Sequence, residues 1–599
     1  MTKFNNQQLE AINFYKGACA VVAGAGSGKS SVLVKRIENL VNNYGEPQSD
    51  ILAISFTNKT ATELKNKLKK IGLDNVNVGT FHAICSRILL QEDINVHGKL
   101  VSEWKAENWF KTIEQKPNTK DILSFISYQK NYRKAPTDNF VDKESDYSEE
   151  QLREFYKLYE TMKDKEGLYD FDDHLLMCLN ILESNKGKYS YEFILVDEHQ
   201  DSNFVQNRIL QELCQSGNIF ACFDARQAIY SFRGGNPEYC LNFEKYWDDP
   251  TIINMFINYR STSNIVKNAN KFIRPYFKDY KHYVDSEANN KADGLITISS
   301  YVDRDIEGVE VVNKIEELIS KGEKLNEIAV LYRLNSHSSY VENELKKRNI
   351  DYDIANDSSF FKRKEVSGIM SYLRMINNPH DDNAFENVFK LRNYPLTFFS
   401  GKLFDEVRKQ SGLNNISLYE AFINIRYDKA WQQRAAKDFE TNINKLKLQK
   451  DKNVSVTTLI SNIVKSFKIE TYIKDNYSDR EEINDRLNSI DVLKSFVKNN
   501  NLEQFITYVY STNTKKKVKK NAVRLMSVHS SKGLEWNNVF LIGVEDDKFP
   551  HERSSVDEEA RLFYVGITRS KENLYISEIK NDNSNSNLFI KEYFGASVL

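Results

Sequence analysis

The chain has 599 residues, which is too long for one hydrophobic core and predicts several domains. Glycine and proline are scarce, at 23 and 9 residues, which excludes collagen-like and proline-rich disordered proteins and indicates an ordered, helix-rich chain. The 83 Lys and Arg residues against 84 Asp and Glu residues leave a formal charge of −1, so any site for a polyanion has to be local.

The six cysteines show no C-x-x-C spacing, which argues against a disulfide framework, a zinc ribbon or a Cys-ligated iron–sulfur cluster. No stretch reaches the ~18 consecutive apolar residues that a membrane-spanning helix needs, and the first residues are polar. We therefore expect a cytoplasmic protein in a reducing compartment, with no membrane partner.

Short apolar runs, typical of buried parallel strands, alternate with amphipathic helical patterns in two zones. The first zone has these runs at residues 18–23, 51–56, 193–196 and 219–223. The second zone has them at residues 295–300, 328–332, 523–528, 539–544 and 574–577. Because the stretches 89–189 and 372–520 are mainly helical and charged, we predict an α/β fold with two cores, each carrying an inserted helical subdomain. The basic run at 515–520 is interpreted as a solvated loop rather than a phosphate contact.

A glycine-rich turn follows the first predicted strand and leads into a helical pattern at residues 31–40. In such a turn backbone N–H groups wrap phosphate oxygens, Lys29 reaches the β- and γ-phosphates and Ser30 can bind Mg²⁺. The alternative, a glycine-rich turn without a ligand, is disfavoured by the strand–loop–helix context. Ala23 stands where the strict pattern has glycine, a mild departure because this residue ends the strand. The predicted phosphate-binding residues are Ala23, Gly24, Ala25, Gly26, Ser27, Gly28, Lys29 and Ser30.

An acidic pair ends the third apolar run, where residues 194–201 read ILVDEHQD. Asp197 is predicted to hold Mg²⁺ together with Ser30, and Glu198 is predicted to polarise the attacking water. Adjacent acids at a strand end are usually solvated loop residues. Combined with Lys29, however, they predict hydrolysis of a nucleotide.

Further motifs occur in one order with these two. They read GTFH at 79–82, QAIYSFRG at 227–234, NYRS at 258–261, VHSSKGLE at 528–535 and YVGITR at 564–569. On these motifs, which extend from Gln8 to Arg569, the chain resembles superfamily 1 helicases of the UvrD/Rep/PcrA type. The resemblance implies an ATP- and Mg²⁺-dependent DNA helicase that translocates on single-stranded DNA with 3′→5′ polarity.

The resemblance also implies that both cores are RecA-like and that ATP is hydrolysed between them. The first core, which binds ATP, is expected at residues 1–90 and 188–262, with a helical insertion at 91–187. The second core is expected at residues 263–372 and 521–599, with a helical insertion at 373–520.

Around the nucleotide, the resemblance implies that Gln8 reads adenine, that Arg36 and Tyr259 lie at the base, and that Glu535 binds the ribose. Gln227 would sense the γ-phosphate and link it to the DNA-binding surface. Two guanidiniums would stabilise transition-state charge from the opposite core. The predicted catalytic residues are Lys29, Asp197, Glu198, Gln227, Arg260 and Arg569.

For the DNA strand, hydroxyl, amide and cationic groups interleaved with aromatic rings suit sequence-independent binding. We expect Phe81 and Phe232 to stack on bases and Phe56 to belong to the core. Family members usually carry Trp where Phe232 stands. The predicted DNA-binding residues are Thr57, Asn58, Lys59, Thr80, Phe81, His82, Phe232, Arg233 and His529.

The acidic segment 170–173 could be taken for a metal site, but we interpret it as a helix N-terminus whose acids complement the helix dipole. The histidines at 82, 174, 199 and 529 lack metal-ligand spacing. His199 replaces the more usual Phe or Ala of its motif.

Two departures from the family bear on function. The second insertion is short, and residues 393–397 lack the Gly-Ile-Gly motif that would engage a duplex. The few residues after Arg569 leave no space for a nuclease domain, so any cleavage would need a partner. The expected partners are single-stranded DNA and single-strand/duplex junctions. The alternative is a DNA-stimulated ATPase that serves as motor or sensor subunit of a nuclease or anti-phage defence complex, with little unwinding of its own.

Overall fold

The computed structural model describes residues 4–96, 99–110, 112–113, 117–143, 145–231, 234–354, 360–477, 480–497, 500–510, 521–546, 548–552, 554–580 and 587–594. The helices are α1 Asn6–Asn13, α2 Lys29–Asn42, α3 Asn58–Lys69, α4 Phe81–Gln91, α5 Glu103–Phe110, α6 Thr119–Asn131, α7 Glu149–Glu166, α8 Phe171–Ser184, α9 Phe204–Leu213, α10 Glu238–Leu241, α11 Ser263–Ile273, α12 Arg304–Ser320, α13 Ser338–Lys347, α14 Lys364–Asn377, α15 Asp382–Leu391, α16 Gly401–Asn414, α17 Leu418–Asn424, α18 Ala430–Asp451, α19 Val456–Ser466, α20 Ile469–Asn476, α21 Arg480–Ser495, α22 Leu502–Tyr510, α23 Val556–Ile567 and α24 Leu588–Phe594.

The strands are β1 Cys19–Ala23, β2 Ile51–Ile54, β3 Asn77–Gly79, β4 Phe193–Val196, β5 Ile219–Phe223, β6 Thr251–Met255, β7 Ile257–Thr262, β8 Glu287–Asn290, β9 Ile296–Tyr301, β10 Ile328–Tyr332, β11 Tyr352–Ile354, β12 Val523–Ser527, β13 Trp536–Val544 and β14 Ser570–Ile579. The chain divides into two compact units, a first unit of Met1–Ser300 with Ser531–Leu599 and a second unit of Tyr301–Ser530.

The first unit contains a six-stranded sheet in the order β3-β2-β4-β5-β1-β6, with every neighbouring pair parallel. In a parallel sheet the carboxyl ends of the strands share one edge, and ligands bind there. The loops after β1, β4 and β5 therefore open on the same side.

Alternate residues of this sheet face two hydrophobic clusters, as the two-residue period of a strand requires. Leu52 and Ile54 of β2 pack in one cluster with α4, α8 and α9. Ile51 and Ala53 pack in the other cluster with α1, α2 and α3. Helices thus cover both faces of the sheet, which explains why its central strands are continuous apolar runs.

The first unit also contains a helical insertion in which α5, α6 and α7 share a separate core of aromatic and aliphatic side chains. Helix α8, which follows them, packs on the sheet instead. The returning segment of this unit contributes β13 and β14, which pair in parallel with Val539 opposite Leu574.

In the second unit β11, β12 and β10 are parallel neighbours, with Leu525 of β12 opposite both Val330 and Ile354. The largest hydrophobic cluster of the described residues belongs to the helices α14–α22. Helix α14 is buried along most of its length and packs on α15, α18, α19, α21 and α22. Such a helix, apolar on nearly every side, has to form the centre of a bundle.

The predicted α/β architecture with two parallel-sheet cores and helical insertions is confirmed, and all nine apolar runs become strands. The sequence analysis missed β3 and β6, which are the two edges of the first sheet. Because edge strands are half-exposed, their residues need less apolar character. The basic run 515–520 lies outside the described residues. None of the described helices is long and apolar enough to cross a membrane.

Candidate functional site

The phosphate loop joins the end of β1 to the start of α2, as predicted. Gly26 has a φ of 69°, and a Cβ added there would lie 2.7 Å from Cβ of Arg260. At Gly24 an added Cβ would lie 2.5 Å from Oγ of Ser286. The loop therefore accepts only glycine at these positions, because the backbone is close-packed and left-handed at Gly26.

Lys29 and Ser30 are the first two residues of α2, so their backbone N–H groups belong to the unpaired first turn of that helix. Nζ of Lys29 donates a long hydrogen bond of 3.4 Å to the carbonyl oxygen of Ala23. Ser30 is exposed at the second helical position. A cationic amine and a hydroxyl are thus presented beside helix N–H groups, the donor set that a nucleotide phosphate with its metal requires.

Asp197 and Glu198 follow β4 at the same edge of the sheet. The N–H of Asp197 donates to the carbonyl of Ile54 at 2.9 Å, which extends the parallel pairing of β4 with β2. Glu198 has a φ of 55° and a ψ of 40°. A left-handed conformation is uncommon for a residue other than glycine and costs free energy, and such strained residues cluster at active sites.

The two carboxyls have opposite environments. Burial raises the pKa of Asp197 to about 7, and the neighbouring charge of Glu198 adds to this. Burial would also raise the pKa of Glu198, but the amines of Lys29 and Lys532 outweigh it and hold that pKa at about 2. Asp197 thus lacks a sufficient positive partner within the protein, so the residues present fit a divalent cation there.

A short turn after β5 connects to this pair through a chain of hydrogen bonds. Nε2 of Gln200 donates to Glu198, and Oε1 of Gln200 accepts from the N–H of Asp224 at 3.1 Å. Nε2 of Gln227 donates to Oδ2 of Asp224 at 2.7 Å. Oε1 of Gln227 accepts from Nη2 of Arg569 at 3.0 Å. The network therefore places Gln227 between the acidic pair and Arg569.

The two predicted arginines lie beside each other in the first unit. Arg569 is 1% exposed, and burial together with the charge of Arg260 lowers its pKa to about 9. Nη1 of Arg260 donates at 3.0 Å to the carbonyl of Thr568, the residue that precedes Arg569. Nε of Arg260 donates at 2.7 Å to Glu535, which also lies 3.6 Å from Nζ of Lys571. The predicted ribose acid is therefore bound to one of the predicted arginines.

The residues predicted at the base also come together in part. Nε2 of Gln8 donates at 3.0 Å to the carbonyl of Ser27, and Oε1 of Gln8 accepts from the N–H of Asn5 at 3.0 Å. Nδ2 of Asn5 donates at 2.8 Å to the hydroxyl of Tyr259, whose side chain is 42% exposed. Gln8 is thus held directly against the phosphate loop, with an exposed aromatic ring nearby.

Arg36, predicted at the base, is buried between α2 and the sheet. Arg36 is 2% exposed, and its guanidinium lies 4.4 Å from the centroid of the Phe220 ring. Nη2 of Arg36 donates at 3.2 Å to the carbonyl of Tyr15. It lies about two turns into α2. Arg36 therefore packs helix α2 on the sheet.

Lys532 lies within the motif at residues 528–535, but the sequence analysis predicted no role for it. Its Nζ donates to Oδ2 of Asp201 at 2.5 Å and to the carbonyl of Gln227 at 2.7 Å. It also lies 3.8 Å from Glu198 and 5.2 Å from the centroid of the Tyr230 ring. Burial would lower the pKa of Lys532, but Asp201 and Glu198 outweigh it and raise that pKa. Only the tertiary structure could reveal these contacts, since they join residues more than three hundred positions apart.

On the predicted strand-binding side, Thr57, Asn58 and Lys59 are exposed at the N-terminus of α3, where Oγ1 of Thr57 accepts from the N–H of Thr60. Thr80 is 9% exposed, and its hydroxyl accepts from the N–H of Ala83 at the start of α4. Both threonines are helix caps. The N-termini of α3 and α4, which follow neighbouring strands, thus lie at the same sheet edge.

The two aromatic rings of this side differ from the expectation in how far they are buried. Phe81 is 4% exposed and packs in the core between the sheet and helices α4, α8 and α9. Phe56, expected in the core, is half-buried and stacks on Tyr230, with ring centroids 5.2 Å apart. The first residue of α4 points inwards because the apolar face of that helix begins there.

A second aromatic pair lies near the start of α4. The ring of His82 is half-buried and meets the ring of Phe171 edge-on at 5.9 Å, and Phe171 is 62% exposed. Burial, and then the neighbouring His174, lowers the pKa of His82. The exposed Phe171 and the half-buried Tyr230 are aromatic residues that the sequence analysis missed.

Phe232 and Arg233 lie outside the described residues. His529 is half-buried just after β12 in the second unit. The unusual His199 is fully buried, donates or accepts at 3.2 Å with Oγ of Ser202, and has its pKa lowered to about 4 by burial.

The acidic segment 170–173 is a helix N-terminus, as predicted. Asp170 caps α8 in a capping box with Asp173. Both carboxylates form ion pairs with the buried amines of Lys130 and Lys163, and Glu160 forms ion pairs with the same two amines. The cluster is the one group among the described residues whose acidic side chains approach metal-ligand spacing, but two lysines already compensate its charge.

Comparisons with known proteins agree with this geometry. The family model of the UvrD/REP helicase N-terminal domain matches residues 4–248, and that of the UvrD-like helicase C-terminal domain matches residues 253–581.

Relatives of known function cover nearly the whole chain. The chain is 31% identical over 627 residues to the ATP-dependent DNA helicase PcrA of Bacillus subtilis, covering 97% of this chain and 83% of that protein. It is 30% identical over 622 residues to the ATP-dependent DNA helicase Rep of Buchnera aphidicola subsp. Schizaphis graminum, covering 96% of this chain and 93% of that protein. The chain therefore belongs to the UvrD/Rep family of helicases.

Proposed function

We propose that this chain, an ATP-dependent DNA helicase of the UvrD type, translocates on single-stranded DNA in the 3′→5′ direction and hydrolyses ATP at the site centred on Lys29, Glu198 and Arg569. The observation that carries the proposal is the hydrogen-bonded network that joins Glu198, Gln227 and Arg569 beside the phosphate loop.

In this proposal the loop N–H groups and Lys29 bind the β- and γ-phosphates, and Tyr259 with Gln8 lies at the base. Ser30 and Asp197 would hold Mg²⁺, which supplies charge neutralisation between the β- and γ-phosphate oxygens when bound. Glu198 is ionised under ordinary conditions because Lys29 and Lys532 hold its pKa at about 2. It can therefore orient the attacking water and accept its proton.

Arg260 and Arg569 supply the positive charge for the transition state. Their present partners are Glu535 for Arg260 and Gln227 for Arg569. Both guanidiniums are held rigidly by backbone carbonyls as well, so little reorganisation is needed when the γ-phosphoryl charge spreads.

Coupling to the strand is proposed to run through residues 227–230. Lys532 contacts the carbonyl of Gln227 and the ring of Tyr230, and Tyr230 stacks on Phe56. A base that stacks on this pair would therefore press on the same short segment that holds the γ-phosphate sensor. Lys59 at the N-terminus of α3 would contact the strand's phosphates.

The test is a pair of assays on the purified chain. ATP hydrolysis is measured with and without oligo-dT, and unwinding is measured on duplexes with a 3′ or a 5′ single-stranded tail. The proposal expects hydrolysis to be stimulated by oligo-dT and unwinding to require the 3′ tail. Unwinding from the 5′ tail alone would overturn the polarity. Stimulated hydrolysis without unwinding of either substrate would instead favour the motor or sensor subunit of a larger complex.

A further inference from the structure

One cation of helix α23 contacts the γ-phosphate sensor segment without reaching the nucleotide site itself. Nε of Arg561 donates a hydrogen bond of 2.8 Å to the carbonyl of Ala228, the residue after Gln227. The two atoms belong to residues 333 positions apart, and both lie in the first unit. Arg561 lies before the motif of residues 564–569 and has no part in the proposed hydrolysis.

The contact is part of a continuous face of α23. Arg561, Tyr564 and Thr568 follow the i, i+3, i+7 spacing that places side chains on one side of a helix. The ring of Tyr564 lies 5.6 Å from the guanidinium of Arg226, and Thr568 precedes Arg569, which donates to the side chain of Gln227. This face therefore meets three consecutive residues of the turn, 226, 227 and 228.

The two peptides that flank Ala228 each accept a hydrogen bond from a cation. Lys532 donates to the carbonyl of Gln227 at 2.7 Å, and Arg561 donates to the carbonyl of Ala228 at 2.8 Å. Burial lowers the pKa of Arg561, while Glu558 and Asp557 on the same helix oppose that shift. Two cationic donors on successive carbonyls restrict the rotation of the backbone on both sides of Ala228, which limits the directions open to the neighbouring Gln227 side chain.

From this geometry we infer that Arg561 is a positioning residue for hydrolysis, acting through Gln227. It fixes the Ala228–Ile229 peptide, while Lys532 holds the preceding one, so that Oε1 of Gln227 keeps its hydrogen bond with Arg569. The inference rests on the proposed role of Gln227 as γ-phosphate sensor. It assigns to Arg561 an effect on the rate of the chemical step and none on the binding of ATP.

The experiment compares Arg561→Met, which keeps the apolar stem but removes the donor, with Arg561→Lys, which keeps one cationic donor. Val556→Ala, an exposed and uncharged change on the same helix, is the matched control. With oligo-dT present, we expect Arg561→Met to lower kcat for ATP about tenfold or more, with KM for ATP within about twofold. Arg561→Lys should recover a large part of the loss, and the control should behave like the unchanged protein.

A double variant separates positioning from general damage. If Arg561 acts through Gln227, then Arg561→Met combined with Gln227→Ala should have the kcat of Gln227→Ala alone, because the two losses are not additive. Thermal melting of each variant checks that the fold is kept. Multiplying losses, a raised KM, or no recovery with lysine would each overturn the positioning role.

The outcome for Gln227→Ala alone distinguishes this inference from the proposed function. If Gln227→Ala lowers kcat but Arg561→Met does not, only the role of Arg561 is wrong. If Gln227→Ala leaves kcat unchanged, the proposed sensor role is wrong, and positioning through Gln227 is wrong with it.

Discussion

The nucleotide side and the strand side of the first unit differ in how well the sequence predicted the positions of their side chains. On the nucleotide side, Glu198, Gln227 and Arg569, predicted from three separate motifs, lie in one hydrogen-bonded network. On the strand side, Phe81, expected to stack on bases, is in the core, and Phe56, expected in the core, is half-buried and stacks on Tyr230.

This contrast shows which side-chain positions are fixed by local structure. A carboxylate that follows a buried parallel strand has to lie at the carboxyl edge of the sheet, whatever the rest of the chain does. A phenylalanine has no such constraint, since its burial depends on which neighbours cover it. Five changes test this comparison.

The largest effect is expected on the nucleotide side from Arg569→Ala. Removing a guanidinium that stabilises the phosphoryl-transfer transition state should lower kcat about 10³-fold or more, while affinity for oligo-dT stays within a few fold. Steady-state ATPase assays and DNA titrations measure both. Arg569→Lys should remain strongly impaired, because an ammonium does not reproduce the planar fork of the guanidinium. An unchanged kcat for the alanine variant would show that Arg569 does not take part in hydrolysis.

Glu198→Gln should lower single-turnover hydrolysis about 10²- to 10⁴-fold while ATP binding persists, because the amide cannot accept the proton of water. Glu10→Gln, an exposed change on α1, serves as the control. ATP affinity is followed with a fluorescent nucleotide analogue and hydrolysis by rapid quench. Hydrolysis at the normal rate would show that another group accepts the proton.

On the strand side, Phe81→Ala should destabilise the fold by about 3–5 kcal/mol, because it leaves a cavity in the core. Phe171→Ala removes a ring of the same size that is 62% exposed, so its effect on stability should be much smaller. Denaturant unfolding compares the two. Equal small effects would mean that Phe81 is available to the strand after all.

Phe56→Ala should weaken binding of oligo-dT by about 1–3 kcal/mol, because it removes a stacking surface. Tyr44→Ala removes an exposed ring of the stacked pair that Tyr44 forms with Tyr15, at the far end of α2, and should leave DNA binding unchanged. Fluorescence anisotropy measures the affinity. If both variants bind normally, the stacked pair of Phe56 and Tyr230 is structural.

The smallest effect is expected from Lys59→Ala, which should reduce the slope of log K against log salt by about one, since one phosphate contact is lost. Lys67→Ala, at the other end of the same helix, should leave the slope as it was. A salt series with oligo-dT measures both slopes. A change only with Lys67 would place the strand at the opposite end of α3.

The architecture, the phosphate loop and the acidic pair could be predicted from the sequence alone. Short, continuous apolar runs bounded by polar turn residues and alternating with helical patterns are typical of strands buried on both faces of a parallel sheet. The glycines of residues 24–28 and the acids after β4 then have defined positions at the sheet edge, because strand, loop and helix follow one another directly.

The positions of the other side chains depend on contacts between distant parts of the chain. Arg36, six residues past the phosphate loop's last serine, turned out to pack on Phe220, since helix rotation carries it to the sheet. Lys532 and Arg561 contact residues 227–230, which lie more than three hundred positions away in the sequence, and no local sequence pattern predicts such contacts. The burial of Phe81 and the partial exposure of Phe56 were not predicted for the same reason. Side-chain burial is a property of neighbours distant in sequence, so it appears only when the sheet and its helices are assembled.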